Sequence, residues 1–318
     1  MTAALFAVVL LASAQAEGQF KKWEVKGLLG VLPPAALDKS PIAVQIRDRL
    51  SSLHLNEARE LSALLMRQEP QEYEGYFWAG FVDLQQGSFY AAVRHLRQAE
   101  KLRPPGNAVQ KVIGLAYLEL GQQQLFQLKM NEAMALDPAD FSPHYCLGRY
   151  LQSQKRDHEE AAKQYRLVVE RKPDHYEALY YLGLASEAAG NMVQAGNLYE
   201  RAIAASESSG QTFSLPYQGL SRINRMDHPE TALKFASRAV SLEPKSAESQ
   251  LELGRVYAAL GRFSEAEVAL KASIALDPTE SSPYYHLFSA YRHLGQTKAS
   301  AEALAGFERA TGCYGKND

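Results

Sequence analysis

Cysteine is nearly missing: Cys146 and Cys313 are the only two in 318 residues, too few for a disulfide framework to carry the fold. Charge of one sign is missing as well. The chain has 34 basic and 36 acidic residues, with no run of five or more like charges, and a nucleic-acid binder normally shows a basic excess in its composition. Catalytic signatures are also scarce. The eight histidines are scattered, and the nearest pair, His286 and His293, has six residues between them, which is not a metal-site spacing. His158, Glu159 and Glu160 begin like a zincin motif but no histidine follows four residues on. There is no phosphate loop, no glycine-rich dinucleotide turn and no nucleophile elbow. The composition and motifs therefore predict a protein that is not an enzyme, needs no cofactor or metal, and does not bind nucleic acid.

What is present is a period. Gly80, Gly114, Gly148, Gly183, Gly219, Gly254 and then Phe288 follow one another at steps of 34, 34, 35, 36, 35 and 34 residues. Prolines keep the same period at Pro70, Pro104, Pro138, Pro173, Pro244 and Pro278, with one member missing near Glu207. Two independent marks that share a period of about 34 residues define a repeat array. Within Ala247 to Pro278 the apolar positions fall at i, i+3, i+4 and i+7 in two blocks, which predicts two amphipathic helices of roughly three turns each. Gly261 sits where the first helix must stop and reverse, and Gly87, Gly121, Gly190 and Gly295 hold the same place. A proline disfavours helical conformation in the residue before it, so Asp137, Glu243 and Asp277 are predicted to end second helices. Small residues at Gly254 and Ala266 let the two backbones approach closely. Neither helix buries its apolar stripe alone, so stability must come from stacking hairpin on hairpin.

This pattern resembles the tetratricopeptide repeat and covers about Ser40 to Gly312. The nearest matches are Ala247 to Pro278 and Tyr176 to Glu207, followed by five less regular copies and a worn one at Lys39 to Pro70. Departures are local: Phe126 replaces the small residue of a second helix, and one extra residue enters near Arg156 and again near His228. The resemblance implies an all-α, right-handed superhelical solenoid of about eight helix-turn-helix repeats. The domains read as 1–16 signal peptide, 17–38 capping or linker segment, 39–312 repeat array and 313–318 tail. In such an array the two cysteines, four to five repeats apart, lie tens of ångströms from each other at roughly 10 Å per helix layer, beyond the ~7 Å that a disulfide allows.

The first sixteen residues differ in character. An apolar stretch from Ala3 to Ala12 is followed by Ala14, Gln15 and Ala16, the pattern of a secretory signal cleaved after Ala16. It is shorter than the ~20 residues a membrane span needs, so a stable membrane span is not expected. The expected location is periplasmic or secreted, with a cytoplasmic N-terminal helix as the alternative. Residues 17–38 carry Phe20, Trp23, Val25, Leu28, Leu29, Val31 and Leu32, too apolar for a free linker, and are expected to pack on the first hairpin.

The resemblance also implies a groove lined by positions 2, 5, 9 and 12 of each first helix. These positions include Phe77, Phe81, Lys111, Tyr145, Arg149, Tyr180, Leu184, Arg255, Tyr285 and Arg292. Aromatic rings mixed with arginine suit the apolar side chains and carboxylates of a peptide. The family's carboxylate clamp, a lysine and an asparagine at positions 5 and 9, is absent, since Lys111 is followed by Leu115. The expected function is a non-enzymatic scaffold of the cell envelope binding a protein or peptide partner; the alternatives are a carbohydrate- or peptidoglycan-handling accessory and a regulatory array of a transferase complex. If the groove tyrosines are open to solvent, Tyr145 and Tyr180 can be truncated at little cost in stability.

Overall fold

The computed structural model describes residues 40–312 apart from 103, 105 and 156. The expected signal, the segment that follows it, and the tail with Cys313 lie outside the described residues. Those described form sixteen α-helices and no strand, an all-α helical repeat solenoid. They fall into two compact units divided between Arg171 and Lys172.

The first unit contains α1 (Pro41–Ser51), α2 (Leu55–Gln68), α3 (Tyr73–Gln85), α4 (Phe89–Lys101), α5 (Ala108–Glu119), α6 (Gln123–Leu136), α7 (Ser142–Tyr150) and α8 (His158–Arg171). The second contains α9 (Tyr176–Ala188), α10 (Met192–Ser208), α11 (Leu215–Asn224), α12 (Pro229–Leu242), α13 (Ala247–Ala259), α14 (Phe263–Leu276), α15 (Ser282–His293) and α16 (Thr297–Ala310). In each unit consecutive helices pair into four hairpins, and the second helix of one hairpin packs on the first helix of the next.

The turns follow the sequence marks. Gly87, Gly121, Gly190, Gly261 and Gly295 have φ between +70° and +79°, a region that costs an L-residue with a Cβ roughly 1–2 kcal/mol. The worn first hairpin holds Leu53 in that region instead, at φ 62°, so its turn stores strain the later turns avoid. Asp137, Glu243 and Asp277, each followed by proline, are the caps that end α6, α12 and α14. Where the proline is missing, α10 runs on to Ser208 and is 17 residues long.

Both insertions have a structural answer. A Cβ on Gly80, Gly114, Gly183 or Gly254 would meet Leu96, Met130, Tyr199 or Leu270, in each case sixteen residues on and at 2.5–2.6 Å. Gly148 faces Tyr165, seventeen on. The extra residue is absorbed by a π-helical turn at Leu151–Lys155, the usual result of adding one residue to a helix. In the second case α11 stops at Asn224, a turn intervenes, and Pro229 begins α12. Phe126, the large residue at a small site, is fully buried with its ring 5.1 Å from that of Tyr150.

Candidate functional site

The first helices α9, α11, α13 and α15 lie side by side in the second unit, and polar side chains tie each to the next. Both nitrogens of the Arg222 fork, on α11, donate to Glu187 on α9, Nε to Oε1 at 2.5 Å and Nη2 to Oε2 at 2.8 Å. The Tyr199 hydroxyl donates to the same carboxylate from α10 at 2.6 Å. From α11, Gln218 donates to Ser249 and Ser221 donates to Glu252, both on α13. Arg225, just past the end of α11, donates Nη1 to both oxygens of Glu252 at 2.7 and 2.8 Å. On α13, Arg255 donates Nε to His286 Nε2 at 2.9 Å and Nη2 to Ser282 Oγ at 2.7 Å, both on α15. The helical repeat produces this ladder directly, because residues 31 to 35 apart in sequence sit at matching heights on neighbouring first helices.

These contacts set the protonation of the groups in them. Burial works to raise the pKa of Glu187, but the bonds from Arg222 and Tyr199 and the charges of Arg222 and Arg225 hold it below the usual carboxylate value. His286 is pushed down to about 4 by burial and by Arg255 and Arg225, so it is neutral near pH 7 and its Nε2 accepts from Arg255. Because the folded-state pKa of Glu187 is depressed, its stabilisation is present above the unfolded value of ~4.3 and is lost as pH falls through the folded value. Urea midpoints measured between pH 7 and pH 3 are expected to fall on the acid side for the wild type and to fall less steeply for Glu187→Gln. Asp140 in the first unit is depressed in the same direction: burial opposes the shift, and Lys111 and Ser142 outweigh it.

The ten residues expected in a groove divide into two sets. Phe77, Phe81, Lys111, Tyr145 and Tyr180 are buried, which corrects the expectation that they stand open to solvent. Phe77 and Phe81 pack with Trp78, with ring centroids 5.1 to 6.3 Å apart across the trio. Lys111 Nζ donates to Asp140 at 2.6 Å and to Ser142 at 3.0 Å. Tyr145 lies 6.4 Å from the Tyr165 ring, and Tyr180 packs among Tyr181, Tyr199 and Phe213. Truncating Tyr145 or Tyr180 therefore removes packing and is not a clean probe of binding. Arg149, Leu184 and Arg255 are partly buried, and Tyr285 and Arg292 are exposed. At the C-terminal end of the ladder Arg255 of α13 bonds to Ser282 and His286 of α15, the helix that also carries Tyr285 and Arg292.

Sequence reasoning missed Arg222, Arg225, Glu252, Ser282 and His286 as a set. One signal was available: Glu252 and His286 are 34 residues apart, the sixth position of successive repeats, beside the four positions that the family resemblance singled out. Elsewhere, the Cys146 thiol is pushed up to about 12 by burial, so it is an inert core group. No three or more His, Cys, Asp or Glu side chains gather as a metal site among the described residues. No helix among those residues is long and apolar enough to cross a membrane.

Two tetratricopeptide repeat families match the chain, one over residues 148–210 and one over residues 225–291. Their matches fall on the hairpins whose glycines and turns were described above. The chain is a tetratricopeptide repeat protein. It is similar to a Caenorhabditis elegans protein named as the BBSome complex member bbs-4, 23% identical over 222 residues that cover 67% of this chain and 46% of that one. The tetratricopeptide repeat chain thus spans about half the length of that curated relative. Among solved structures it resembles the Cut9–Hcn1 hetero-tetramer of the APC/C, with a TM-score of 0.62 at 14% identity, covering 90% of this chain and 56% of that one. It also resembles the C-terminal part of a repeat protein from Cytophaga hutchinsonii, with a TM-score of 0.55 at 16% identity, covering 77% of this chain and 99% of that one. At these identities the structural likeness establishes the fold. The repeats support a protein–protein interaction scaffold.

Proposed function

We propose that this tetratricopeptide repeat protein is a non-enzymatic scaffold of the cell envelope that takes up a peptide or protein segment on the first-helix face of its second unit. The observation that carries the reading is the end of the ladder. There Tyr285 is 53% exposed and Arg292 is exposed, while the Arg255 side chain is held against the same helix by two hydrogen bonds. An aromatic ring and an arginine presented on a fixed helix are the residue types that dominate interface energies, and fixing them beforehand lowers the entropy lost on binding. The relative named as a complex member supports a protein partner. The envelope location rests on the apolar stretch and small residues of Ala3 to Ala16.

The test is affinity capture from the envelope fraction of the native cell, with wild type compared against Tyr285→Ala combined with Arg292→Ala. Exposed substitutions move stability by about half a kcal/mol or less, so melting should hardly change. Capture of the partner identified by mass spectrometry should weaken at least tenfold, or about 1.4 kcal/mol. Unchanged capture with unchanged melting would place the binding surface elsewhere. Recovery of the protein from the cytosol with Met1 intact would overturn the envelope assignment.

A further inference from the structure

The ladder contains three guanidinium groups and two carboxylates, and the pairing within it is uneven. Glu187 is taken by both arms of Arg222, and Glu252 by Arg225. The third cation, Arg255, has Glu252 Oε2 only at 3.9 Å, outside hydrogen-bonding distance. Its two hydrogen bonds go to His286 and Ser282, both neutral, because His286 is held uncharged by its surroundings. Three of the five N–H donors that a guanidinium carries therefore lack an acceptor within hydrogen-bonding distance among the described residues. Glu280, exposed just before α15, attracts Arg255 through space, while its Oε1 accepts from the Ser282 backbone N–H.

Such an arginine is costly to leave as it stands. A partly buried cation without a hydrogen-bonded counter-charge loses hydration and gains little in return. Here burial depresses the pKa of Arg255 and, with Arg225 and Arg222, outweighs the attraction of Glu252 and Glu280, whereas at Arg222 burial is overcome by the hydrogen bonds and charge of Glu187. The side chain is also 28% exposed, so a group arriving from solvent can reach it. A planar guanidinium with free N–H donors matches a carboxylate, which it can bind bidentately.

We propose that Arg255 is the seat for an aspartate or glutamate side chain of the bound peptide segment, oriented by His286 and Ser282 behind it and flanked by the exposed ring of Tyr285. The assignment rests on the first-helix face being the peptide surface, and it names the chemistry that face selects. His286 and Ser282 are positioning residues: they hold Nε and Nη2, which leaves Nη1 and the second Nη2 hydrogen for the ligand. Glu252 is already engaged, so the incoming carboxylate supplies the negative charge that the ladder lacks at this point.

The experiment uses the full chain against random peptides displayed inside a coat-protein loop, so that no ligand has a free C-terminal carboxylate. Selected sequences should share an acidic residue at a fixed spacing from an apolar one. A synthetic peptide with Glu→Gln or Asp→Asn at that position should bind wild type at least tenfold more weakly. The same change should make less than a twofold difference on Arg255→Met, which keeps the apolar stem, and most of the original preference should return with Arg255→Lys. The wild-type arm needs no folded variant, and helical content checks the other two. Selected peptides without a common acid, or an equal Glu→Gln loss on wild type and Arg255→Met, would overturn the assignment and leave the first-helix face standing if Tyr285→Ala still abolishes binding. No enrichment of any peptide would overturn both readings.

Discussion

Replacing Tyr199 by alanine is expected to destabilise the second unit by about 4 kcal/mol, the scale found when a large buried ring is removed and the space cannot collapse. Tyr199 has no exposed surface and its ring fills a slot between two first helices. A Cβ on Gly183 of α9 would stand 2.6 Å from its Cε1, and one on Gly219 of α11 would stand 2.6 Å from its Cε2. The two glycines exist, in effect, to admit this ring from both sides. Ala236, the residue of α12 that corresponds to the large side chains of other second helices, is small, so nothing else is at hand to fill the gap. The hydroxyl adds a bond to Glu187. Tyr199→Phe separates the two contributions and is expected to cost about 2 kcal/mol, the net worth of a hydrogen bond to a charged group. Equilibrium urea denaturation measures both. A Tyr199→Ala midpoint close to wild type would show that the hairpins do not pack as tightly on this ring as the glycine contacts require. Gly183→Leu tests the same contact from the opposite direction and should also cost a few kcal/mol, through overpacking.

Glu252→Ala is expected to cost about 3 kcal/mol. The carboxylate is almost fully enclosed and receives Ser221 and both contacts from Arg225. Removing one partner of a buried ion pair costs roughly 3–5 kcal/mol, because the charge left behind stays desolvated. The lower end applies here, since the Arg225 and Arg255 side chains keep 22% and 28% of their surface in water. Arg225→Ala alone leaves the opposite charge enclosed, and the double variant removes both. If the pair acts as described, the double variant loses less than the sum of the singles in a double-mutant cycle. Strict additivity would mean that the two groups do not interact in solution. Folding is stabilised by hairpin-to-hairpin contacts, so both effects should be centred on α9 to α13 in amide hydrogen exchange rather than spread through the chain.

The period of about 34 residues determined the fold class from sequence alone, because helix, turn, helix and proline recur at distances that only a hairpin array satisfies. The reversal points at Gly87, Gly121, Gly190, Gly261 and Gly295 were equally legible, since a positive φ calls for a residue without a Cβ. So was the extra residue near Arg156, which appears as a π-helical turn and a seventeen-residue spacing.

What the sequence left undecided is which side chains on a first helix remain at the surface. A helical period says that Tyr145, Tyr180 and Tyr285 share one register position, yet the structure buries the first two and exposes the third. Burial depends on the neighbours that each ring meets: Tyr165 near Tyr145, Tyr199 and Phe213 near Tyr180. Tyr165 and Tyr199 come from other helices and Phe213 from the connection between α10 and α11, and a pattern read along one helix carries no information about them. The ladder is the same case on a larger scale. Arg222 and Glu187 are 35 residues apart, as are no other pair of groups in it, and their meeting depends on how far α11 is shifted along α9. The uneven pairing at Arg255 follows from that same stacking, because Glu252 Oε2 bonds Arg225 at 2.7 Å and stands 3.9 Å from Arg255. Spacing fixed the heights of these groups; only the packed helices decided which of them pair.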